Sequence, residues 1–302
     1  MPDMRPLPAI SEVTIARQLQ ISRVKRSSAE PLRQNVAVRR VLFGLAAAVT
    51  AVIVGAVGID FGAAIYAEYR WSRALRSIAH LDFDPWVGII GFPFIPQARA
   101  HDYGEMEFRA SGVGHPVVGK ASLEATLHSV DLTEASWLVR PGSSLPVGKV
   151  ESRIIVDSTH VGRFMGIDDL LVEAPAPESN DATGGTTESG ISGNTGVMFT
   201  GTPKAAGFDE RVTVAVDLAV AGPQQSTLVM TATGVLTGAG TADQDVPEDK
   251  LDAVLAEFTT TMPGMELPFG VAPTAQGVRG SDVIVEGISE NMTITLDGFR
   301  QP

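Results

Sequence analysis

One stretch of the chain has the spacing of a phosphate-binding loop: residues 114–120 read GHPVVGK and match G-x-x-x-x-G-K. In a functional P-loop, backbone amides surround phosphate oxygens, and a Ser or Thr after the lysine binds Mg²⁺. Here Ala121 follows the lysine, Pro116 interrupts the amides, and the strand-like ASLEATLH stands where a helix is required. The pattern therefore predicts a hairpin turn rather than a nucleotide site.

Histidines and paired carboxylates are the remaining candidates for metal binding or acid–base catalysis. The five histidines are His80, His101, His115, His128 and His160. They form no H-x-x-x-H or H-E-x-x-H spacing, so a zinc site would have to be assembled by the fold. The pairs Asp82/Asp84 and Asp168/Asp169 are predicted to cap helices or face solvent. We predict no catalytic residue, no metal ligand and no cofactor.

The most unusual apolar stretch is residues 86–96, which read WVGIIGFPFIP. Its two prolines and two glycines are incompatible with a helix, so irregular chain must bury large apolar side chains here. Two interpretations stay open. Either the segment crosses the core and closes one end of a sheet, or Phe92 and Phe94 line the mouth of an apolar cavity that accepts an acyl chain.

Composition narrows the function classes further. The chain has 302 residues, no cysteine and a formal net charge of −12. Without cysteine it has no disulfide, no Cys-ligated metal and no thiol nucleophile. The net acidity argues against a general nucleic-acid-binding protein, which needs a basic face to bind phosphates.

The charge is divided unevenly around one apolar span. Residues 1–40 carry eight basic and three acidic side chains, whereas residues 61–302 carry 15 basic and 31 acidic ones. Residues 41–59 are uncharged, and as a helix they would be about 28 Å long, enough to cross a bilayer. We therefore predict a basic cytoplasmic tail (1–40), an uncleaved transmembrane signal anchor (41–60) and an extracytoplasmic domain (61–302). A cleaved signal peptide is the alternative, although no clear A-x-A site follows the span.

Helical spacing of apolar residues predicts three helices in the extracytoplasmic domain. Trp71, Leu75 and Ile78 recur at i, i+4 and i+7 and predict a long amphipathic helix that continues out of the membrane. The three predicted helices are residues 61–81, a short helix capped by Ser158 or Thr159 that ends at Met165, and residues 247–261, which Pro247 opens.

Alternating apolar and polar residues predict strands with one buried and one solvated face. The clearest is residues 211–221, where four valines and Leu218 fall on one side and Thr213 and Asp217 on the wet side. Half-wet strands are typical of antiparallel sheet, so the fold class is predicted to be α+β. The predicted strands are residues 105–110, 123–128, 147–156, 196–202, 211–221, 227–236, 282–288 and 292–296.

Two features concern the internal organisation of this domain. Residues 174–194 are dense in Gly, Ser, Thr, Pro and acidic residues, which predicts a flexible loop. A weak internal echo at a separation of 175 residues aligns residues 92–94 (FPF) with residues 267–269 (LPF). The echo predicts two sub-lobes, and chance similarity is the alternative.

Two short elements carry a family resemblance: residues 91–97 read GFPFIPQ, and residues 267–270 read LPFG. Together with the sequence around them, over residues 71–296, they make the chain similar to the LmeA-type family of exported actinobacterial proteins. The resemblance implies an antiparallel sheet that curls around long helices, like the tubular lipid-binding fold. It also implies binding of phosphatidylinositol-class lipids and an influence on lipomannan chain length, and it supplies no catalytic residues.

The combined prediction is a non-enzymatic, membrane-anchored protein of the cell envelope or periplasm that binds a phospholipid or glycolipid. The predicted lipid-binding residues are Trp86, Phe92, Phe94, Leu267 and Phe269. Lipid binding would support assembly of lipomannan-type lipoglycan or lipid transfer, with envelope glycosyltransferases as candidate protein partners. Two other functions stay open: a hydrolase or transferase that acts on envelope lipid, and a scaffold that recruits envelope enzymes.

Overall fold

A computed structural model describes residues 32–133, 142–174 and 192–300 of the chain. Within those ranges it contains four α-helices and eleven strands in two antiparallel sheets, one of which curls into a half-barrel. The predicted α+β fold is confirmed. The chain divides into two compact units, residues 1–54 and residues 55–302.

The helices are α1 (Leu32–Ile78), α2 (Phe94–Ala100), α3 (Ser158–Met165) and α4 (Glu248–Glu257). Among the described residues, α1 is the one helix long and apolar enough to cross a membrane, judged by length and composition. It contains both the predicted anchor and most of the helix predicted after it. Trp71, Leu75 and Ile78 are buried as their spacing predicts.

The strands are β1 (Trp86–Ile90), β2 (Asp102–His115), β3 (Gly119–Asp131), β4 (Ser144–Asp157), β5 (Leu171–Glu173), β6 (Val197–Gly201), β7 (Val212–Ala221), β8 (Thr227–Leu236), β9 (Thr260–Pro263), β10 (Ala275–Arg279) and β11 (Asp282–Thr295). Six of them form one sheet in the order β1-β2-β3-β4-β11-β10. The other five form a second sheet in the order β5-β6-β7-β8-β9.

Each predicted strand corresponds to an observed one, with one merger, although the predictions 196–202, 211–221 and 292–296 extend one residue beyond β6 at both ends, β7 at its start and β11 at its end. Residues 282–288 and 292–296 belong to the single strand β11, which pairs with β4 along its whole length. Asn291 adopts a positive φ within it without shifting the register. The P-loop-like residues 114–120 form the hairpin between β2 and β3, as predicted.

Two helix predictions need correction at their ends. The cap of α3 is Asp157, whose carboxylate accepts a hydrogen bond from the His160 amide, rather than Ser158 or Thr159. Helix α4 ends at Glu257, because residues 260–263 pair with β8 as the edge strand β9. The β-branched Thr260 and Thr261 favour a strand, so local propensity and the backbone hydrogen bonds at the sheet edge agree there.

The wet face predicted for β7 is only partly wet. Thr213 is fully buried, and its hydroxyl forms a 2.8 Å hydrogen bond with the Thr200 hydroxyl while accepting one from the Ala242 amide. The loop after β8 therefore covers this part of the second sheet. The buried Thr213 hydroxyl is tolerated because it forms two hydrogen bonds.

The remaining predictions concern chain organisation. Most of the predicted loop, residues 175–191, lies outside the described residues. The two echoing segments lie at comparable places, since residues 92–94 follow β1 and residues 267–269 follow β9. Division into two sub-lobes stays a prediction.

Candidate lipid-binding site

The inner face of the six-stranded sheet carries the apolar side chains that alternation predicted. Met106 and Phe108 of β2 and Leu123 of β3 are fully buried on it. Helix α1 packs against this face, with the Trp71 ring stacked on Phe108 at 6.3 Å between centroids. An amphipathic helix laid on an apolar sheet face creates a low-dielectric layer that excludes water.

A small-residue seat on this face holds the LPFG segment, residues 267–270. Ser152 of β4 and Gly287 of β11 are paired across the sheet, and the Ser152 hydroxyl donates a 3.0 Å hydrogen bond to the Pro268 carbonyl. A Cβ added at Gly287 would overlap the Ala272 carbonyl oxygen and lie 2.7 Å from Leu267 Cδ1. Only glycine therefore allows the segment to approach the strand so closely.

An aromatic cluster forms where this segment meets the sheet and α1. Phe269 lies 6.3 Å from Phe108 and 5.7 Å from Phe299, and Phe108 also contacts Trp71. Phe269 adopts φ of 62°, a conformation that costs a non-glycine residue about 1 kcal/mol or more. The packing of its ring in the cluster offsets that cost, so the LPFG segment is held by tertiary contacts.

Trp71 contributes the one polar atom in this cluster. Its side chain is buried, and its indole N–H has no hydrogen-bond partner among the described residues. A buried donor without an acceptor costs about 1–3 kcal/mol. The cluster therefore contains an unsatisfied donor that a ligand oxygen would satisfy.

The GFPF segment behaves differently, because its first aromatic ring faces outward. Phe92 is 63% exposed and stacks on Phe61 of α1 at 5.7 Å, whereas Phe94 is buried against Tyr103. Trp86, at the start of β1, is 50% exposed and lies under the Arg109 guanidinium at 4.8 Å. These rings form the outer edge of the sheet where α1 passes it.

Asp60 fixes the GFPF segment against α1. Its carboxylate is buried and accepts hydrogen bonds from the amides of Phe94 and Ile95, at 2.7 and 2.8 Å. These amides open α2, so Asp60 satisfies helix donors that would otherwise lack partners. Glu68, two turns later on α1, accepts a hydrogen bond from the Ile89 amide of the edge strand β1.

His115 connects the β2–β3 hairpin to the chain just before the LPFG segment. Its Nε2 lies 2.8 Å from the Gly264 carbonyl, and its Nδ1 accepts from the amides of Val117 and Val118. These partners require the neutral ring with the proton on Nε2. Burial holds the His115 pKa below its usual value, although the Gly264 carbonyl and the Glu266 carboxylate oppose the shift.

Three of the other candidate acid–base residues, Asp84, Asp169 and His160, have structural partners. Asp84 pairs with Arg76 at 3.3 Å, and Asp169 accepts hydrogen bonds from the backbone and hydroxyl of Thr202. His160 contacts its own helix cap, Asp157, at 2.6 Å. Within the described ranges, no group of three or more His, Asp or Glu side chains is placed to hold a metal ion.

Small clefts open at the ends of the six-stranded sheet. One of about 300 Å³ is lined by Leu81, Phe83, Val113 and Arg300. Another of about 120 Å³ is lined by Lys120, Asp157, His160 and Asp282. The first has the size of a small ligand pocket and reaches toward the end of α1.

The five predicted lipid-binding residues are separated into two environments. Phe94, Leu267 and Phe269 are buried in the core, whereas Trp86 and Phe92 are exposed. Their role in binding stays a prediction.

Sequence reasoning missed the residues that position these segments. Asp60 is the last residue of the predicted anchor and Phe61 follows it, and Ser152 and Gly287 lie within strands. A lone acid at the end of an apolar span and a glycine inside an apolar strand were the available signals.

An apolar sheet face covered by an amphipathic helix is the usual core of an α+β domain, so the ligand class is indicated by the family and not by the fold. The model of the LmeA-like phospholipid-binding family matches residues 58–288, and the chain belongs to this family. The match confirms the resemblance carried by the GFPF and LPFG elements. Neither the curated proteins nor the solved structures compared with the chain give a significant match.

Proposed function

We propose that the protein is anchored in the membrane by residues 41–60 and binds phospholipid between α1 and the inner face of the six-stranded sheet. The observation that carries the site is the aromatic cluster around Trp71, which is apolar except for one buried indole N–H without a partner. An ester carbonyl of a glycerophospholipid is an acceptor of the required kind. Family membership supports phospholipid as the ligand class.

Binding requires the closed core to open. The cleft beside Leu81 and Phe83 has room for only part of one acyl chain. The remaining acyl chain length of the lipid therefore enters the core when α1 or the LPFG segment moves away from the sheet. Each methylene transferred from water contributes about 0.8 kcal/mol. Ten methylenes therefore contribute roughly 8 kcal/mol, from which the lost aromatic contacts and the ordering of the lipid are subtracted.

The proposal also specifies the class of lipid, the location of the domain and the role of the protein in the cell. The ligand is a phosphatidylinositol-class lipid or a related glycolipid, and the domain of residues 61–302 lies in the periplasm or cell envelope with the basic tail in the cytoplasm. The protein supports assembly or transfer of lipomannan-type lipoglycan, in contact with envelope glycosyltransferases. The charge asymmetry across residues 41–60 supports this orientation.

The test is mass spectrometry of lipid that remains bound to the full-length protein after detergent extraction, followed by titration with phosphatidylinositol, phosphatidylglycerol and phosphatidylcholine. We expect co-purified phospholipid and saturable binding. Trp71→Phe should weaken binding about 2- to 10-fold, because a neutral hydrogen bond contributes about 0.5–1.5 kcal/mol.

Trp137→Phe is the matched control, since it makes the same chemical change at a tryptophan that is not among the predicted lipid-binding residues and should leave binding unchanged. Absence of bound lipid and of saturable titration would contradict the proposal. Conversion of the lipid to a new product during the assay would favour the hydrolase or transferase alternative.

A further inference from the structure

The domain that follows the predicted anchor has a cluster of exposed apolar side chains on one surface, which we call the aromatic rim. It comprises Phe61, Ile65, Tyr66 and Tyr69 of α1 with Ile90 and Phe92 of the β1–α2 segment. All six side chains are exposed by 43–64%. A cluster of large exposed apolar side chains on one surface marks an interaction site.

The two halves of the aromatic rim are held together. Phe61, Ile65 and Tyr69 follow one another at i, i+4 and i+8 and so share one side of α1. The Phe61 ring stacks on Phe92 at 5.7 Å, and the Asp60 carboxylate holds the neighbouring backbone through the amides of Phe94 and Ile95. Because the buried carboxylate binds both amides, the exposed rings are presented on a fixed backbone.

The position of the rim along α1 indicates its partner. The uncharged span ends at Ile59, so Phe61 and Ile65 lie about 3 and 9 Å beyond it along the helix. The polar headgroup layer of a bilayer leaflet is roughly 5–8 Å thick. A helix that spans the membrane up to Ile59 therefore carries Phe61 into the headgroup layer and places Ile65 just beyond its outer boundary.

The chemistry of the outer part of the rim fits the same partner. Tyr66 and Tyr69 come one and four residues after Ile65, about 1.5 and 6 Å farther out along the helix. Arg70 donates a hydrogen bond to the Tyr66 hydroxyl while lying 5.9 Å from its ring. Tyrosine is enriched at the membrane–water interface, where the ring contacts acyl chains and the hydroxyl stays in water. Arginine beside it reaches lipid phosphates.

We infer that the end of the aromatic rim formed by Phe61 and Phe92 rests in the headgroup layer of the bilayer and so seats the domain on the membrane at the edge of the sheet where β1 ends. The inference rests on the proposed anchor and adds a second membrane contact to it. Seating at this edge places the junction of α1 and β1 against the lipids that the domain binds.

The absence of cysteine from the chain allows a direct test in the full-length protein. Ile90→Cys on the rim and Ile288→Cys on β11 make the same change at two exposed isoleucines, 43% and 44% exposed. Four strand spacings, roughly 19 Å, separate their strands. Each variant is labelled with an environment-sensitive nitrobenzoxadiazole dye in phosphatidylcholine–phosphatidylglycerol proteoliposomes with or without doxyl-labelled lipid.

We expect the label at residue 90 to shift its emission to the blue and to be quenched several-fold more by doxyl lipid than the label at residue 288. Equal, weak quenching at both positions would overturn the inference. A blue shift at residue 90 without quenching would also overturn it, because the label would then be covered by protein.

The same preparations are assayed for bound phospholipid by mass spectrometry, which separates the two proposals. Bound lipid together with an unquenched label at residue 90 would refute only the contact of the rim with the membrane. A quenched rim without bound lipid refutes the lipid site and leaves the seating intact.

Discussion

Two segments of this protein have nearly the same sequence and opposite environments. Phe92-Pro93-Phe94 presents its first aromatic ring to solvent, whereas Leu267-Pro268-Phe269 is buried throughout. Phe92 and Leu267 are both large and apolar and the prolines are identical, so hydrophobicity does not explain the difference. The backbone surroundings do, and they are built from residues far away in the chain.

Each segment is held by different chemistry. Residues 267–269 lie on the sheet because Gly287 leaves space and Ser152 donates a hydrogen bond to the Pro268 carbonyl. Residues 92–94 are held at the helix by the Asp60 carboxylate, which binds backbone amides and leaves the Phe92 ring free. The small residues Ser152 and Gly287 allow one segment to be buried against the sheet. The Asp60 carboxylate fixes only the backbone of the other segment.

The largest difference is expected when the buried ring of one segment and the exposed ring of the other are removed. Phe269→Ala should lower the free energy of unfolding by about 3–5 kcal/mol, because it empties the centre of the aromatic cluster. Phe92→Ala should change it by about 0.5 kcal/mol or less, since the ring is 63% exposed. Urea unfolding of the full-length protein in detergent, followed by tryptophan fluorescence, measures both. Similar losses in the two variants would remove the distinction between the segments.

Filling the space beside Gly287 with a methyl group should have the next largest effect on stability. Gly287→Ala should destabilise the protein by about 2–3 kcal/mol, because the new methyl overlaps the Ala272 carbonyl and Leu267. Gly234→Ala on β8 is the matched control, because a Cβ there has no atom within 4 Å and Gly234 does not adopt a positive φ. Equal unfolding midpoints for the two variants would show that the LPFG segment does not need the glycine.

Removing the carboxylate cap should have a smaller and more local effect. Asp60→Ala should cost about 1–2 kcal/mol, the usual effect of losing a helix cap. Hydrogen exchange at the Phe94 and Ile95 amides should accelerate, while the Gly270 amide, which is bonded to the Leu267 carbonyl, should stay protected. Asp60→Asn retains one acceptor oxygen and should give an intermediate rate. Unchanged exchange in Asp60→Ala would contradict the role of the cap.

The smallest effect on the free energy of unfolding is expected from a change of pH. It acts through His115, which contacts the chain just before the buried LPFG segment. The folded His115 has a lowered pKa, so the unfolded chain binds more protons than the folded one at pH values between the two. Its stabilising contribution is complete above about pH 6.5, the unfolded value, and is lost as the pH falls toward the folded value.

Urea unfolding at pH 7.5 and 5.5 tests this dependence. His115→Asn keeps an acceptor for the Val117 amide, cannot be protonated, and should show a smaller loss of stability at the lower pH. An identical loss in both proteins would assign the pH dependence to other groups.

Part of the candidate site was predictable because it depends on local patterns. The alternation in residues 105–110 and 123–128 places Phe108 and Leu123 on the buried face, and helical spacing buries Trp71 beneath them. The hairpin at residues 114–120 follows from its proline and glycines. Its His115 contact with Gly264 joins residues 149 positions apart, and no local pattern specifies that pair.

The boundaries that were wrong have the same explanation. The predicted helix extends over Thr260 and Thr261, yet these β-branched residues pair with the edge of β8. Thr213 fits a wet face by type, but the loop at Ala242 covers it and supplies a hydrogen bond. In both places a distant segment supplies the deciding contact.

The sequence by itself determined the fold class, the apolar span, the charge asymmetry and the family. These depend on periodicity, composition and short motifs, which are properties of neighbouring residues. Only the tertiary structure decided which of two similar Pro-Phe segments is buried, because the answer depends on the register that pairs Ser152 with Gly287 and on the contact of Asp60 with residues 94 and 95. Such contacts form only when segments distant in sequence are brought together by the sheet and by α1.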